Sequence, residues 1–150
     1  MKDVCLTTLR VSSPVGDELS DGKILTVFIK NCLTDQTITL AGKGERVQNY
    51  IDVKDVGEAV LMSLEKKKAG VFNIAGKESI SNIELANLII ELTNSKTEVV
   101  FSGEDSQEED KWIIAIEKAK LELGFKPKVP MRNTISALIK RYKDEGSFYK

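Results

Sequence analysis

Tyr50 and Lys54 are the residues whose spacing first suggests chemistry, because a tyrosine and a lysine four residues apart can share a proton on one face of a helix. The local sequence does not predict that helix, since residues 47–53 have a β-type composition. Gly42 and Gly44 precede them, as in a tight turn between strands. We therefore predict that Tyr50 lies on the second strand of a β-hairpin, and that the chain has no catalytic residue of this kind.

The absence of histidine narrows the chemistry further. Neither a Ser-His-Asp nor a Cys-His site can form within the chain, and the usual zinc ligand sets cannot be completed. The carboxylates at 104–110 invite a metal hypothesis, but they follow no calcium-loop pattern. We predict a solvated loop there and no metal site, so any general acid or base would be Asp, Glu, Lys, Tyr or Cys.

The composition is that of one globular domain, with 150 residues, 41% of them hydrophobic, and a net charge of −1. Such a balance attracts neither nucleic acid nor an acidic membrane surface, so we expect no nucleic-acid and no membrane partner. No apolar run has membrane-spanning length and no signal peptide is evident, which predicts a cytoplasmic protein. Cys5 and Cys32 lie in apolar runs, which favours buried free thiols and leaves a disulfide open.

The pattern of apolar residues predicts alternating strands and helices. Asp55 is a plausible N-cap for the second helix, and Ser81 with Glu84 forms a capping box. The expected fold class is α/β, with a small mixed sheet, an inserted β-hairpin and about five helices. The predicted strands are 4–11, 37–40, 47–53, 71–75 and 97–101. The predicted helices are 22–33, 55–69, 81–92, one ending at Gly124, and 130–144. Ser20 or Asp21 is expected to cap the first of these helices. Val56, Ala59, Val60 and Leu64 form the expected buried stripe of the second helix.

Four segments in this order carry a resemblance to a known family. They are residues 9–16 (LRVSSPVG), 42–55 (GKGERVQNYIDVKD), 70–76 (GVFNIAG) and 117–127 (EKAKLELGFKP). Each is similar to a segment in the C-terminal half of the NAD-dependent epimerase/dehydratase family, the extended short-chain dehydrogenases that act on nucleotide-diphosphate sugars. The resemblance implies the C-terminal portion of an extended Rossmann-type short-chain dehydrogenase.

That family's glycine-rich dinucleotide loop and its Tyr-x-x-x-Lys helix lie upstream of the matched segments. Residues 1–150 therefore resemble the substrate-binding C-terminal region, with residues 1–16 similar to the last strand of the cofactor domain. The resemblance implies NAD in the full-length enzyme and no cofactor bound by this chain alone. It also leaves open a homodimer of the full enzyme.

The resemblance also implies site residues. Ser12 and Pro14 lie in the segment that borders the cofactor, and Ser13 stands where the family usually has a substrate-binding Asn. The family's phosphate-binding Arg falls at Gln48, which carries no charge. Arg46 is two residues earlier, on the same strand face, and can replace that charge.

Two further positions follow from the same comparison. A second family Arg aligns near Asp105, whose charge would repel a diphosphate, so Lys111 is a candidate to compensate together with Arg46. Trp112 follows that loop and is expected either to border the substrate or to pack in the core against the last helices.

We therefore expect the substrate-binding portion of an NAD-dependent nucleotide-sugar epimerase or dehydratase, which is not catalytically competent alone. One alternative is a non-catalytic α/β binding module. Another is part of an NADP-dependent reductase of the same superfamily, for which phosphate-binding arginines are not required.

Overall fold

Strands and helices alternate along the chain, as the apolar pattern predicts. The computed structural model describes residues 4–146; residues 1–3 and 147–150, the two ends of the predicted 1–150 region, lie outside the described residues. The elements in chain order are β1 (Thr7–Val11), β2 (Ser13–Val15), α1 (Ile24–Leu33), β3 (Ile38–Ala41), β4 (Val47–Asp52), α2 (Val53–Lys66), β5 (Gly70–Ile74), β6 (Ser79–Ser81), α3 (Asn82–Thr93), β7 (Val99–Ser102), α4 (Glu117–Glu122) and α5 (Met131–Glu145). The α/β class and the five helices are confirmed.

The strands form three small sheets rather than one. β1 pairs in parallel with β5, and β3 pairs in parallel with β7. The central strand β4 pairs in parallel with β2 on one side and antiparallel with β6 on the other. Among residues 4–146, only the sheet of β2, β4 and β6 is therefore mixed in direction, and the other two sheets are parallel. β1 and β2 belong to different sheets although one residue separates them.

The buried apolar side chains of residues 4–146 form two hydrophobic cores. The larger core joins α1, α3 and α5 to β3, and its fully buried side chains include Ile29, Ile38, Ile89, Ile135 and Leu138. The smaller core lies under β5 and is closed by α2 and α4; it contains Ile51, Ala59, Phe72, Ile74, Ala119, Leu123 and Phe125. Packing of helices against both groups of strands holds the sheets in fixed register.

The predicted β-hairpin is wrong. β3 and β4 do not pair with each other, although Gly42 and Gly44 both adopt positive φ and the chain turns between them. The carbonyls of Gly44 and Arg46 accept hydrogen bonds from the first amides of α3, Ile83 at 3.0 Å and Asn82 at 3.1 Å. Because these carbonyls bind α3, β4 departs into another sheet.

The second helix begins earlier than predicted. Its N-cap is Asp52, whose carboxylate accepts from the amide of Lys54 at 2.8 Å, and Asp55 lies in the first turn. The expected buried stripe is correct at Ala59 but wrong at Val60 and Leu64, which are 42% and 65% exposed. Because α2 packs against β1, β2 and β4 and leaves Val60 and Leu64 exposed, its buried stripe is narrower than the sequence pattern.

The N-cap predicted from the sequence is correct for α3 and wrong for α1. The capping box of Ser81 and Glu84 is confirmed, with both reciprocal hydrogen bonds present. Neither Ser20 nor Asp21 caps α1; its N-cap is Lys23, which makes no side-chain capping bond. Asp21 instead accepts from the Tyr142 hydroxyl at 2.8 Å and pairs with Lys30, and so joins α1 to α5.

The two cysteines are free, and only one has the predicted environment. Cys32 is buried in the larger core, and burial raises the pKa of its thiol. Cys5 is exposed, contrary to the prediction, and its thiol donates to the carbonyl of Lys67 at 3.0 Å. Among residues 4–146, no helix has the length and apolar character needed to cross a membrane.

Candidate functional site

The candidate site lies where the chain passes from β1 to β2. The Ser12 amide still donates to the carbonyl of Ile74 in β5 at 2.9 Å, whereas Ser13 already pairs with Tyr50 in β4. The backbone therefore changes its hydrogen-bonding partner from β5 to β4 between these two neighbouring residues. The side chains of this segment face a gap between the sheets, the place where open α/β folds commonly bind ligands.

Two adjoining cavities open at this gap. The smaller has a volume of about 240 Å³ and the larger about 550 Å³. Their common wall consists of Ser13, Arg46 and Gln48. The smaller cavity is completed by Val11, Ser12, Asn49, Trp112 and Ile114, and the larger by Pro14, Val15, Leu19, Lys23, Ile24, Leu25, Tyr50 and Asn82. Together they have the size and mixed lining of a small-molecule site.

The structure brings together the residues predicted to bind substrate. Ser13, Arg46, Gln48 and Trp112 all line the smaller cavity. The two predicted cofactor neighbours separate, since Ser12 lines the smaller cavity and Pro14 the larger. Their roles remain predictions, but their proximity satisfies the geometric requirement for one shared ligand.

Arg46 is fixed at its backbone by the start of α3. Its carbonyl accepts from the Asn82 amide, the first residue of that helix. The helix start is in turn ordered by the capping box, where Glu84 accepts from the Ser81 amide at 2.8 Å and from its hydroxyl at 2.7 Å. These bonds lower the pKa of the Glu84 carboxyl. The base of the Arg46 side chain therefore has little freedom to move.

The side chains of Arg46 and Gln48 bind each other. With the amide oxygen of Gln48 toward the guanidinium, it accepts from Nε at 3.0 Å and from Nη2 at 3.2 Å. Both side chains are half-buried. Among the ion pairs of residues 4–146, none involves Arg46, so its charge faces the cavities without a carboxylate partner.

Trp112 is positioned by backbone bonds to the edge of β4. Its amide donates to the Val47 carbonyl at 3.2 Å, and its carbonyl accepts from the Ser79 hydroxyl at 2.8 Å. The Glu108 carboxylate accepts from the Lys43 amide and fixes the same loop to the Gly42 turn. Trp112 is 55% exposed, so the alternative of a core anchor for the last helices is wrong.

The loop before Trp112 does not supply a second cation to the cavities. Lys111 lines a separate acidic groove that also contains Glu45, Glu84 and Glu108. Asp105 accepts from the Gln107 amide at 2.9 Å within its own turn. Lys111 is therefore not placed to replace the missing phosphate-binding charge, whereas Arg46 is.

Two residues of the site, Lys23 and Asn82, were missed by sequence reasoning, whereas Ser12 was predicted as a neighbour of the cofactor. Lys23 lies at the start of α1 on the rim of the larger cavity, and the Gly22-Lys23 pair before an apolar helix was the available signal. Asn82 Oδ1 is buried beside the same cavity without a hydrogen-bond partner among the described residues. Ser12 Oγ, at the smaller cavity, is likewise buried without a hydrogen-bond partner among the described residues. Unpartnered buried atoms of this kind are candidates to bind a ligand.

Asn49 lines the smaller cavity, but its side chain is hydrogen-bonded within the protein. Its side chain accepts from the Gly76 amide at 2.9 Å and donates to the carbonyls of Gly76 and Glu78, each at 3.2 Å. This amide holds the segment after β5 against β4. Both amide hydrogens are used in these contacts, so Asn49 has no donor left for a ligand.

The tyrosine–lysine pair has no catalytic geometry. Tyr50 lies on β4 and Lys54 lies in the first turn of α2, so they share no helical face, as predicted. Burial raises the pKa of Tyr50 to about 12, which keeps the phenol protonated near neutral pH. Tyr50 contributes an apolar wall to the larger cavity and does not act as a base.

The buried carboxylates of β4 and α2 are used to hold the fold. Asp55 accepts from the amides of Lys128 and Val129, each at 3.0 Å, and so fixes the segment before α5. Asp52 accepts from the Thr134 hydroxyl at 2.7 Å. Neither carboxylate lines the two cavities, so neither is a candidate acid or base there.

The comparisons with known proteins all indicate the same family. A sequence model of the NAD dependent epimerase/dehydratase family matches residues 1–75, half of the chain. The chain is 31% identical over 137 residues to the dTDP-4-dehydro-6-deoxyglucose reductase of Escherichia coli, a match that covers 89% of this chain and 43% of that protein. It is 25% identical over 125 residues to UDP-glucuronic acid decarboxylase 4 of Arabidopsis thaliana, covering 83% and 28%.

A solved structure extends the comparison to the fold. The UDP-glucose 4-epimerase of Thermotoga maritima, crystallised with UDP-glucose, superposes with a TM-score of 0.83 at 27% identity, covering 93% of this chain and 46% of that one. The described chain thus spans less than half the length of each of these relatives.

Proposed function

The chain belongs to the NAD dependent epimerase/dehydratase family, and from this premise we propose that it is the substrate-binding portion of an NAD-dependent nucleotide-sugar epimerase or dehydratase. Its ligand is a nucleotide-diphosphate sugar, which this portion binds without catalysing the reaction alone. The observation that carries the proposal is the Arg46 guanidinium at the wall shared by two cavities. A diphosphate joins the two uncharged ends of such a ligand, and its charge matches that wall.

The two cavities differ in a way that suits the two ends of the ligand. The larger one is mainly apolar, with Leu25 and Tyr50 in its lining, and suits the nucleoside. The smaller one offers the hydroxyls of Ser12 and Ser13 to a sugar, beside the exposed ring of Trp112. Lys23 at the rim of the larger cavity adds a second positive charge near the diphosphate.

The NAD of the full-length enzyme would border Ser12 and Pro14. The unpartnered Ser12 Oγ fits such a neighbour, while the described residues contain no glycine-rich loop to hold a pyrophosphate. When bound, NAD supplies hydride exchange. β1 pairs only with β5 among the described strands, so its other edge is available to the cofactor-binding sheet. We expect no NAD binding by this chain alone, and a micromolar Kd in a fluorescence titration would contradict this.

The substrate proposal is tested by titrating the protein with UDP-glucose in a calorimeter. Arg46→Ala removes one charge-assisted contact, worth about 1.5–3 kcal/mol, and should weaken binding roughly ten- to a hundredfold. Lys111→Ala is the matched control, because it removes one positive charge from a neighbouring groove outside the two cavities. Its affinity should stay within about twofold of the unmodified protein.

Equal affinities of the unmodified protein and Arg46→Ala would refute the diphosphate site. Equal losses in Arg46→Ala and Lys111→Ala would instead indicate a general effect of net charge. Because such interactions between exposed charges are screened by salt, repeating the titration at higher ionic strength separates the two cases.

A reductase of the same superfamily is a second candidate. It is favoured by the 31% identity to an Escherichia coli protein named as a dTDP-4-dehydro-6-deoxyglucose reductase. Both candidates use the same diphosphate site but differ in the nicotinamide cofactor of the full-length enzyme. Net consumption of NADPH by the full-length enzyme with a nucleotide sugar would favour the reductase.

A further inference from the structure

We propose that Gln48 is a positioning residue, which holds the Arg46 guanidinium at the wall between the two cavities so that its outer edge faces the ligand. The inference deepens the proposed function and rests on it for the identity of the ligand. It assigns to Gln48 a role other than direct phosphate binding. The arrangement separates the two tasks of the site, since Arg46 carries the charge and Gln48 fixes its direction.

The geometry of the pair supports this division. With the Gln48 amide oriented so that its oxygen faces the donors of Arg46, this oxygen accepts from Nε and Nη2, which together form one edge of the planar guanidinium. The adjacent edge, formed by Nη1 and the second hydrogen of Nη2, stays available for a phosphate oxygen pair. A guanidinium held along one edge can therefore bind an anion along the other.

The backbone at Gln48 and Arg46 is held by hydrogen bonds within the protein, without any ligand. Gln48 lies within β4, opposite Ile80 of β6, and the Arg46 carbonyl accepts from the first amide of α3. Both side chains leave the same face of the chain, two residues apart. The long arginine side chain would otherwise sample many rotamers, and ordering it only when the ligand binds would cost affinity.

The neutral character of Gln48 is also required. A carboxylate at this position would accept the same two hydrogen bonds, but it would cancel the charge that the diphosphate needs. Gln48→Glu should therefore keep the guanidinium in place and still weaken anion binding. Gln48→Met keeps the length of the side chain and removes the acceptor, so it should release the guanidinium while the charge remains.

The first test is made without ligand. In the unmodified protein, the Arg46 Nε–H should give a distinct NMR signal that exchanges slowly with water, assigned by its loss in Arg46→Ala. We expect this signal to persist in Gln48→Glu and to disappear or exchange rapidly in Gln48→Met, with the backbone amide spectrum otherwise retained. An unchanged Nε–H signal in Gln48→Met would overturn the proposal.

The second test uses UDP-glucose. Gln48→Met should lower affinity about five- to tenfold in the presence of Arg46 and have no further effect in Arg46→Ala. A loss of equal size in both backgrounds would also overturn the proposal, because it would mean that Gln48 acts on the ligand by itself. If UDP-glucose does not bind the unmodified protein, the substrate assignment fails, and the Nε–H signal still decides the positioning role.

Discussion

The hydroxyl of Thr134 donates to the carboxylate of Asp52 at 2.7 Å, and this bond joins the end of β4 to α5 across 82 positions of sequence. Both residues are buried, with relative exposures of 4% and 8%. The same Asp52 caps α2 through the Lys54 amide. The Asp52 carboxylate therefore fixes α2 and α5 relative to β4, the strand that carries Gln48 and Tyr50.

We predict that Thr134→Val destabilises the protein by about 1–3 kcal/mol, because the side chain keeps its shape but leaves a buried carboxylate oxygen without its donor. The free energy of unfolding from urea denaturation, followed by circular dichroism, measures the effect. Thr134→Ser retains the hydroxyl and is the matched control, expected to lose less stability than Thr134→Val. Equal stability of Thr134→Val and the unmodified protein would show that the bond contributes nothing net.

Gly76 should be intolerant of any side chain. A Cβ there would lie 1.8 Å from the carbonyl oxygen of Tyr50, a backbone atom that cannot give way without moving β4. Gly76→Ala should therefore destabilise by more than about 3 kcal/mol, or abolish folding.

Gly57 provides the matched comparison for Gly76. It lies in α2 and a Cβ there would meet nothing within 4 Å. Gly57→Ala should stabilise the protein by about 0.5–1 kcal/mol, since alanine is the better helix former. Thermal melts of the two variants under one condition would measure both effects, and similar melting temperatures would contradict the steric account.

Tyr50 should make the fold sensitive to alkaline pH. Its folded-state pKa is raised to about 12 by burial, and Arg46 opposes this shift in part. Because the unfolded phenol ionises near pH 10, the contribution of Tyr50 to stability is complete below that pH. It is lost as pH rises from about 10 toward 12.

The matching experiment compares the unmodified protein with Tyr50→Phe. The variant cannot ionise at this position, so its free energy of unfolding should fall less steeply between pH 10 and 12 than that of the unmodified protein. Parallel pH profiles of the two proteins would mean that Tyr50 titrates alike in the folded and unfolded states.

Several features of the fold could be predicted because they depend on neighbouring residues. The capping box at Ser81 and Glu84, the range of α5 and the end of α4 near Gly124 depend on residues within a few positions. The conclusion that Tyr50 and Lys54 are not a catalytic pair was similarly local, since it required only that residues 47–52 form a strand. Short-range patterns specify such features directly.

The errors have a common cause. The turn at Gly42 and Gly44 was predicted correctly, but the pairing of β3 with β7 depends on partners about 60 residues away. Exposure of Val60, Leu64 and Cys5 likewise depends on which elements pack nearby. A residue pattern specifies an apolar face, but it does not specify whether another element covers that face.

For the site, the residue types already specify the chemical groups: no histidine, two serines after the first strand, and an arginine two positions before an uncharged glutamine. It is the packing of the folded chain that makes Arg46 and Gln48 bind each other, brings both to two adjoining cavities and directs Lys111 elsewhere. The reason is physical, because residue types fix charge and hydrogen-bonding capacity, whereas direction and proximity depend on long-range packing of strands and helices.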